Sequence, residues 1–192
     1  FDTPEAIKAA AVAALEAGQT HYAPNQGMLK LRCAIAEYET RRGNPVTEER
    51  VLVTVGACQA LFTALIGILN PGEEVIVPTP GFGLYESLIR IAGAEMVPLD
   101  ISRNHFQIDG PELEALITPK TKAIIAVHVW GNPCDMDAIM PIIRRHNLIL
   151  IEDAAQSFGA SYKGKKCCAF GEIATTSFFP AKPLGCYGDG GA

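Results

Sequence analysis

Residues 148–156 read LILIEDAAQ, four apolar residues followed directly by two carboxylates. A short apolar run of this kind is typical of a buried strand. A second run at 173–178, IATTSF, is built from small and β-branched residues and is also typical of a strand. Asp153 therefore lies at the carboxyl end of one predicted strand, and Lys182 follows the other by four residues.

Strand and helix patterns alternate along the whole chain, which predicts an α/β fold with a largely parallel sheet. Right-handed crossovers between parallel strands would place helices on both faces of that sheet. Strands are predicted at 51–54, 74–78, 95–99, 122–128, 148–152 and 173–178. Helices are predicted at 4–16, 28–40, 57–69, 82–92, 111–117 and 136–146.

Composition limits the class of protein. A length of 192 residues suits one domain with a sizeable core. A net charge of −5 argues against a nucleic-acid surface, and no apolar run approaches the roughly 20 residues of a membrane span. The chain begins at Phe1, without a methionine, and no signal peptide is evident in it. A cytoplasmic location is expected. The six cysteines include no CxxC pair, which favours reduced thiols and predicts no metal site.

The two charged residues that follow strands point to one kind of chemistry. The amine of Lys182 can form an imine with a carbonyl cofactor. The carboxylate of Asp153 can keep a ring nitrogen of that cofactor protonated. These are the protein groups that pyridoxal 5'-phosphate requires. The alternatives are a solvated surface lysine and a helix-capping or loop aspartate.

The segment Gly56, Ala57 and Cys58 opens a helix directly after a strand. Free N–H groups and the positive end of the helix dipole at such a point suit a phosphate group. A glycine at this turn can also be purely structural, and a thiol is a weak hydrogen-bond donor. The chain lacks GxGxxG, which counts against a dinucleotide site.

Two sets of segments resemble two related families. Residues 152–165, EDAAQSFGASYKGK, and 175–192, TTSFFPAKPLGCYGDGGA, resemble the DegT/DnrJ/EryC1/StrS sugar aminotransferases, especially those acting on nucleotide-linked keto-uronic sugars. The N-terminal half resembles class I aminotransferases of the aspartate aminotransferase type. Its matching segments are 1–18, 21–38, 51–65 and 71–93. Both families have fold type I and use pyridoxal 5'-phosphate, so the chain resembles a hybrid of two branches.

The resemblance implies a single pyridoxal-phosphate-binding large domain over residues 1–192, truncated before the small C-terminal domain and without an N-terminal arm. It also implies roles for individual residues. Ser177 would bind the phosphate, Phe82 would stack on the pyridine ring and Gln156 would hydrogen-bond the cofactor hydroxyl. Tyr22 matches a tyrosine that reaches the phosphate of a partner subunit, which implies a homodimer. The alternatives are an ordinary core phenylalanine, a polar loop residue and a loop tyrosine.

The implied reaction moves an amino group, with glutamate as the expected donor, to a small-molecule keto acceptor. A nucleotide-linked keto sugar is the favoured acceptor, and an amino-acid aminotransferase of class I type is the alternative. A non-catalytic truncated or engineered scaffold of the same fold is a third hypothesis. The cofactor residues also leave open dehydration or decarboxylation on the same fold. His128 and Asn132 lie near a predicted strand end, and no catalytic role is assigned to them.

Overall fold

The structure, a computed structural model, describes residues 2–192, so Phe1 of the predicted domain lies outside the described residues. The strands are β1 (Glu74–Thr79), β2 (Glu95–Asp100), β3 (Thr121–Val127), β4 (Ile149–Asp153), β5 (Ser161–Tyr162), β6 (Lys165–Lys166) and β7 (Ile173–Thr175). The helices are α1 (Glu5–Glu16), α2 (Leu29–Arg41), α3 (Gly56–Ile68), α4 (Tyr85–Ile91), α5 (Gly110–Ala115) and α6 (Met136–His146), with a short 3-10 helix at Glu48–Arg50. Five strands form a parallel sheet in the order β2-β1-β3-β4-β7, and β5 and β6 form a separate antiparallel pair. The predicted α/β fold with a mostly parallel sheet is confirmed.

Apolar side chains of the sheet alternate between two cores. Ile124 and Leu150 pack into one core with Ile139 of α6. Ile125, the next residue of β3, packs into the other core with Leu65 of α3. All five side chains are fully buried, and burial of each such side chain stabilises the fold by about 1.5–3 kcal/mol. Helices therefore cover both faces of the sheet, as predicted.

The strand order reverses between β1 and β3. From β1 the chain moves outward to β2, and then crosses to β3, β4 and β7 on the other side. In open parallel sheets, ligands bind at such a reversal, in the crevice beyond the carboxyl ends of the strands. Val127 at the end of β3 lies beside Asp153 at the end of β4, and Asp153 lies beside Thr175 at the end of β7. The register thus brings three strand ends to one edge.

Two predicted strands are wrong in extent. Residues 51–54 form no strand, and Thr54 makes only an isolated antiparallel bridge to Gly191. The strand predicted at 173–178 ends at Thr175, and Ser177 is bridged to the same Gly191. A ladder needs several paired residues. Thr54 exchanges both backbone hydrogen bonds with Gly191, whereas Ala192 pairs with Thr176, so the apolar pattern at 51–54 has one paired residue and does not form a strand.

Helix positions agree with the prediction to within a few residues, and α4 shows the largest difference. It begins at Tyr85 instead of residue 82. Gly81 and Gly83 lie in the residues that precede it, and glycine disfavours helix by about 1 kcal/mol relative to alanine. Among residues 2–192, no helix is both long and apolar enough to cross a bilayer. All six cysteines are free thiols.

Candidate active site

A cavity of about 1040 Å³ lies beyond the carboxyl ends of β1, β3 and β4. The residues that line this cavity come from loops after different strands, so they are distant from one another in the sequence. Eight of the nine predicted site residues line it: Gly56, Ala57, Cys58, Phe82, Asp153, Gln156, Ser177 and Lys182. The structure therefore brings together the aspartate, the lysine and the helix start that the sequence singled out.

Asp153 is held rigidly at the end of β4. Its side chain is only 5% exposed. Oδ2 accepts a hydrogen bond from the hydroxyl of Tyr85 at 2.6 Å, and Oδ1 accepts one from the backbone N–H of Ala155 at 2.9 Å. Hydrogen bonds to charged acceptors are among the strongest in proteins. The carboxylate is thus fixed in orientation at the edge of the cavity.

Tyr85 is a site residue that the sequence analysis missed. It is 2% exposed, at the first position of α4, and it lines the cavity. Burial, together with the charge of Asp153 and the hydrogen bond to it, raises the pKa of the Tyr85 phenol above its ordinary value. The available signal was a tyrosine within the helix predicted at 82–92, because a buried tyrosine hydroxyl usually finds a polar partner.

Lys182 lies in a loop that folds back on itself. The backbone N–H of Phe178 donates to the carbonyl of Gly190 at 2.7 Å, and the N–H of Cys186 donates to the carbonyl of Phe178 at 2.7 Å. A Cβ added at Gly185 would lie 2.5 Å from the carbonyl oxygen of Pro180, so the loop requires glycine there. The lysine side chain is half-buried and lines the cavity.

The start of α3 forms another part of the cavity wall. Gly56 begins the helix with φ 78°, a conformation that favours glycine. The hydroxyl of Thr54 donates to the carbonyl of Gly56 at 2.9 Å. A Cβ on Gly191 would lie 2.5 Å from the carbonyl carbon of Gly56, so this glycine allows close packing against the helix start. The first N–H groups of a helix have no partner within it, and they can bind an anion.

Ser177 and Cys58 both line the cavity near this helix start. Ser177 is 5% exposed, and its Oγ accepts a hydrogen bond from the N–H of Phe179 at 3.3 Å, which leaves the hydroxyl proton for donation. Cys58 is exposed at the third position of α3. The hydroxyl is the stronger donor of the two.

The remaining predicted residues differ in position. Phe82 is 48% exposed and meets the Tyr85 ring edge-on, with ring centroids 5.6 Å apart. Gln156 is exposed at the cavity. Tyr22 is fully exposed and is absent from the residues that line the cavity of its own chain, so its role in a partner's site stays a prediction.

A buried, hydrogen-bonded pair, His128 and Glu152, lies beside β4, and the Glu152 side chain is on the face of the strand opposite to that of Asp153. His128 and Glu152 are both 0% exposed, and His128 Nε2 lies 3.0 Å from Glu152 Oε2. The backbone N–H groups of Phe170 and Gly171 donate to Glu152 Oε1 at 2.6 and 2.8 Å. Burial raises the pKa of Glu152, but the hydrogen bonds from His128 and Gly171 outweigh it and hold that pKa below its ordinary value.

Comparison with known proteins finds one family. A model of the DegT/DnrJ/EryC1/StrS aminotransferase family matches residues 15–192, further toward the N-terminus than the two motifs that suggested it. The UDP-2-acetamido-2-deoxy-3-oxo-D-glucuronate aminotransferase of Pseudomonas aeruginosa is 43% identical over 159 residues, which cover 82% of this chain and 44% of that protein.

Two solved structures are similar to this chain over most of its length. A tetra mutant of the aspartate aminotransferase of Thermus thermophilus has a TM-score of 0.79 at 34% identity, covering 92% of this chain and 52% of that one. DesV of S. venezuelae, solved with a ketimine intermediate, has a TM-score of 0.79 at 35% identity, covering 96% and 48%. The predicted relationship and fold type I are confirmed, and the chain spans about half the length of these relatives.

Proposed function

Because the chain belongs to the DegT/DnrJ/EryC1/StrS aminotransferase family, we propose that it is the cofactor-binding large domain of a pyridoxal-phosphate-dependent aminotransferase. The convergence of Lys182, Asp153 and the start of α3 on one cavity supports this proposal. When bound, pyridoxal phosphate supplies an electron-withdrawing ring that stabilises the charge developing on the substrate carbon. The residues present fit it, because the cavity offers an amine, a buried carboxylate and an anion-binding helix start.

Lys182 and Asp153 have complementary roles in this proposal. Lys182 would hold the cofactor through its amine, and the same amine would accept and return a proton at the substrate carbon. Asp153 holds the ring N–H through a charge-assisted hydrogen bond. Tyr85 orients the Asp153 carboxylate through its 2.6 Å hydrogen bond, so it is a positioning residue.

The phosphate group is assigned to the start of α3. The N–H groups at Gly56, Ala57 and Cys58 and the hydroxyl of Ser177 are the proposed donors, since all four residues line the cavity. The helix dipole adds about 0.3–2 kcal/mol to such binding. Cys58 contributes its backbone N–H more than its thiol, because a thiol is a weak donor.

Three further contacts complete the proposed site. Phe82 would hold the cofactor ring by stacking, and such stacking adds roughly 0.5–1.5 kcal/mol beyond burial. Gln156 hydrogen-bonds the ring hydroxyl. Tyr22, fully exposed in its own chain, contributes to the phosphate site of a partner subunit in a homodimer.

For the acceptor, we favour a nucleotide-linked keto sugar, with glutamate as the amino donor. The support is the 43% identity to an enzyme whose name specifies a UDP-linked 3-oxo-glucuronate. The alternative acceptor is a keto acid, supported by the 34% identity to an aspartate aminotransferase. A cytoplasmic location is part of the same proposal.

Cofactor attachment is tested by titrating the chain with pyridoxal phosphate, reducing it with borohydride and mapping the labelled peptide. The expected label is on Lys182, and Lys182→Ala abolishes it while keeping the circular dichroism of the wild type. Lys165→Ala, at an exposed lysine of β6, is the matched control and keeps the label. A label on another lysine would contradict the assignment.

Product analysis with glutamate and a panel of UDP- and dTDP-linked keto sugars and keto acids then tests the reaction. An aminated nucleotide sugar is the expected product, and an amino acid as the sole product would favour the alternative. A chain that carries the label on Lys182 and yields no product would be a non-catalytic scaffold.

A further inference from the structure

We infer that the buried His128–Glu152 pair is a positioning unit that holds Asp153 and two cavity loops in one fixed arrangement for the cofactor ring. The inference rests on the proposed cofactor site for its functional meaning. The sequence analysis assigned the pair no role, and neither residue is among those proposed for attachment, ring protonation or phosphate binding. Both side chains are 0% exposed, so their contacts are not shared with solvent.

Glu152 fixes the segment that leads into β7. It precedes Asp153 on β4, so the two carboxylates point to opposite faces of the sheet. Oε1 accepts the N–H groups of Phe170 and Gly171, and Oε2 accepts that of Cys168 at 2.9 Å. Residues 168–171 are therefore tied to β4 two residues before β7 begins, and β7 leads to Ser177 and Lys182.

His128 fixes the loop after β3. Its Nδ1 accepts the backbone N–H of Cys134 at 3.1 Å, so the ring proton is on Nε2 and is donated to Glu152 Oε2. The backbone N–H of His128 donates to the carbonyl of Asp153 at 2.9 Å. One residue thus joins the ends of β3 and β4 through both its backbone and its side chain.

The backbone carbonyl of His128 also contacts the turn that contains Gln156. The hydroxyl of Ser157 donates to the carbonyl of His128 at 2.7 Å, and its Oγ accepts the N–H of Gly131 at 3.0 Å. The loop at 129–134 and the turn at 154–157 therefore share one anchor. Both segments line the cavity.

The chemistry of the pair favours a fixed geometry. A buried carboxylate is stable only while its donors stay in place, and losing one partner leaves an uncompensated charge. Glu152 has four such donors from two parts of the chain, namely His128 and the segment 168–171. An apolar pair of equal volume would fill the space, but it would fix neither the loop after β3 nor the segment before β7.

The first test needs no cofactor. In Glu152→Gln, amide hydrogen exchange should quicken roughly tenfold or more at residues 168, 170 and 171, since each loses a bond to a charged acceptor. Exchange should also quicken at Cys134, because the His128 ring loses the partner that fixes it. Ile143→Ala, a buried residue of the same core, is the control, and it should not single out these amides. If the amide of Cys134 exchanges in Glu152→Gln at the same rate as in the wild type, the inference is overturned.

The second test measures pyridoxal phosphate affinity and the absorbance maximum of the bound cofactor. We expect roughly tenfold weaker binding and a shifted maximum for Glu152→Gln, and no such changes for Ile143→Ala. Should Glu152→Gln not fold, Ser157→Ala replaces it, because it removes only the link between His128 and Gly131. Unchanged exchange at Gly131 with unchanged affinity would then overturn the inference. If the wild type binds no cofactor, the proposed function fails, and the exchange at Cys134 or Gly131 still decides whether the pair couples the loops.

Discussion

Replacing Tyr85 with phenylalanine is the sharpest perturbation of the candidate site, because it removes one oxygen atom and keeps the ring. That oxygen is the donor to Asp153 Oδ2 at 2.6 Å, and both residues are buried. The hydrophobic packing of the ring against the core of α3 and β1 is retained. The effect of Tyr85→Phe therefore isolates the hydrogen bond to the carboxylate.

The expected loss of stability at neutral pH follows from that bond. A hydrogen bond to a charged group contributes about 1.5–3 kcal/mol to the free energy of unfolding. For a chain of this size the corresponding decrease in Tm is about 3–12 °C. Asp153 Oδ1 keeps its bond from Ala155, so the carboxylate retains one of its two fixed donors. We expect the variant to remain folded.

The pH dependence gives a second and independent signature. Burial and the charge of Asp153 raise the pKa of Tyr85 in the folded chain, whereas the phenol of an unfolded chain titrates near pH ~10. As the pH rises above about 10, the unfolded state loses this proton first, and unfolding becomes more favourable by up to about 1.4 kcal/mol per pH unit. The contribution of Tyr85 is fully present below pH ~10 and is lost above it. Tyr85→Phe lacks this loss, so its free energy of unfolding should fall less steeply with rising pH than that of the wild type.

Chemical denaturation between about pH 7 and 11 measures both quantities. Tyr187→Phe is the matched control, because that tyrosine is 69% exposed, and we expect its stability and slope to equal those of the wild type. If Tyr85→Phe shows wild-type stability at pH ~7 and the wild-type slope above pH ~10, the hydrogen bond to Asp153 does not hold the carboxylate, and the positioning role is wrong.

Three further substitutions test the proposed site and one turn of the fold. Asp153→Asn should keep the cofactor bound but slow proton transfer by orders of magnitude in single-turnover experiments, because the ring loses its charged partner; a rate within a few-fold of the wild type would make Asp153 structural. Lys163→Asn should stabilise the chain by about 0.5–1 kcal/mol in denaturant titrations, because Lys163 has a left-handed φ of 47° before Gly164 in the β5–β6 turn and the pair Asn-Gly favours that turn. The exposed ion pair of Lys163 with Asp137, which the substitution removes, contributes little to stability. Lys165→Asn is the control. Tyr22→Phe should weaken cofactor binding only under conditions where sedimentation shows association, and tight binding by a strict monomer with no effect of Tyr22→Phe would refute the shared site.

The sequence was informative wherever a residue follows a strand of a parallel sheet. Asp153 and Lys182 were each placed after a predicted strand, and the parallel register of β3, β4 and β7 brings the carboxyl ends of those strands to one edge. Helix α6 was predicted at its observed bounds because residues adjacent to it in the sequence determine where it begins and ends. Asp135 accepts the N–H groups of Asp137 and Ala138 at the start, and Asn147 ends the helix with a left-handed φ of 52°.

What the sequence could not show depends on contacts between distant segments. Tyr85 and Asp153 are 68 residues apart, and no periodicity indicates that the hydroxyl of one meets the carboxylate of the other. The pair of His128 and Glu152 is hidden for the same reason, because each residue on its own is compatible with an ordinary strand end. Residues 51–54 have the apolar composition of a strand, but pairing is a property of two segments, and here Thr54 finds only Gly191.

The two central residues differ in rigidity in a way that suits their proposed tasks. Asp153 is 5% exposed at a strand end, with two fixed donors on its carboxylate, so its charge is preorganised and needs no rearrangement when a ring nitrogen arrives. Lys182 is half-buried in a loop, and its side chain can turn about several single bonds. A residue that only stabilises charge benefits from being fixed, whereas an amine that would carry a proton between two positions needs room to move. Placing the carboxylate on the sheet and the lysine on a loop anchored at Phe178 meets both requirements in one cavity.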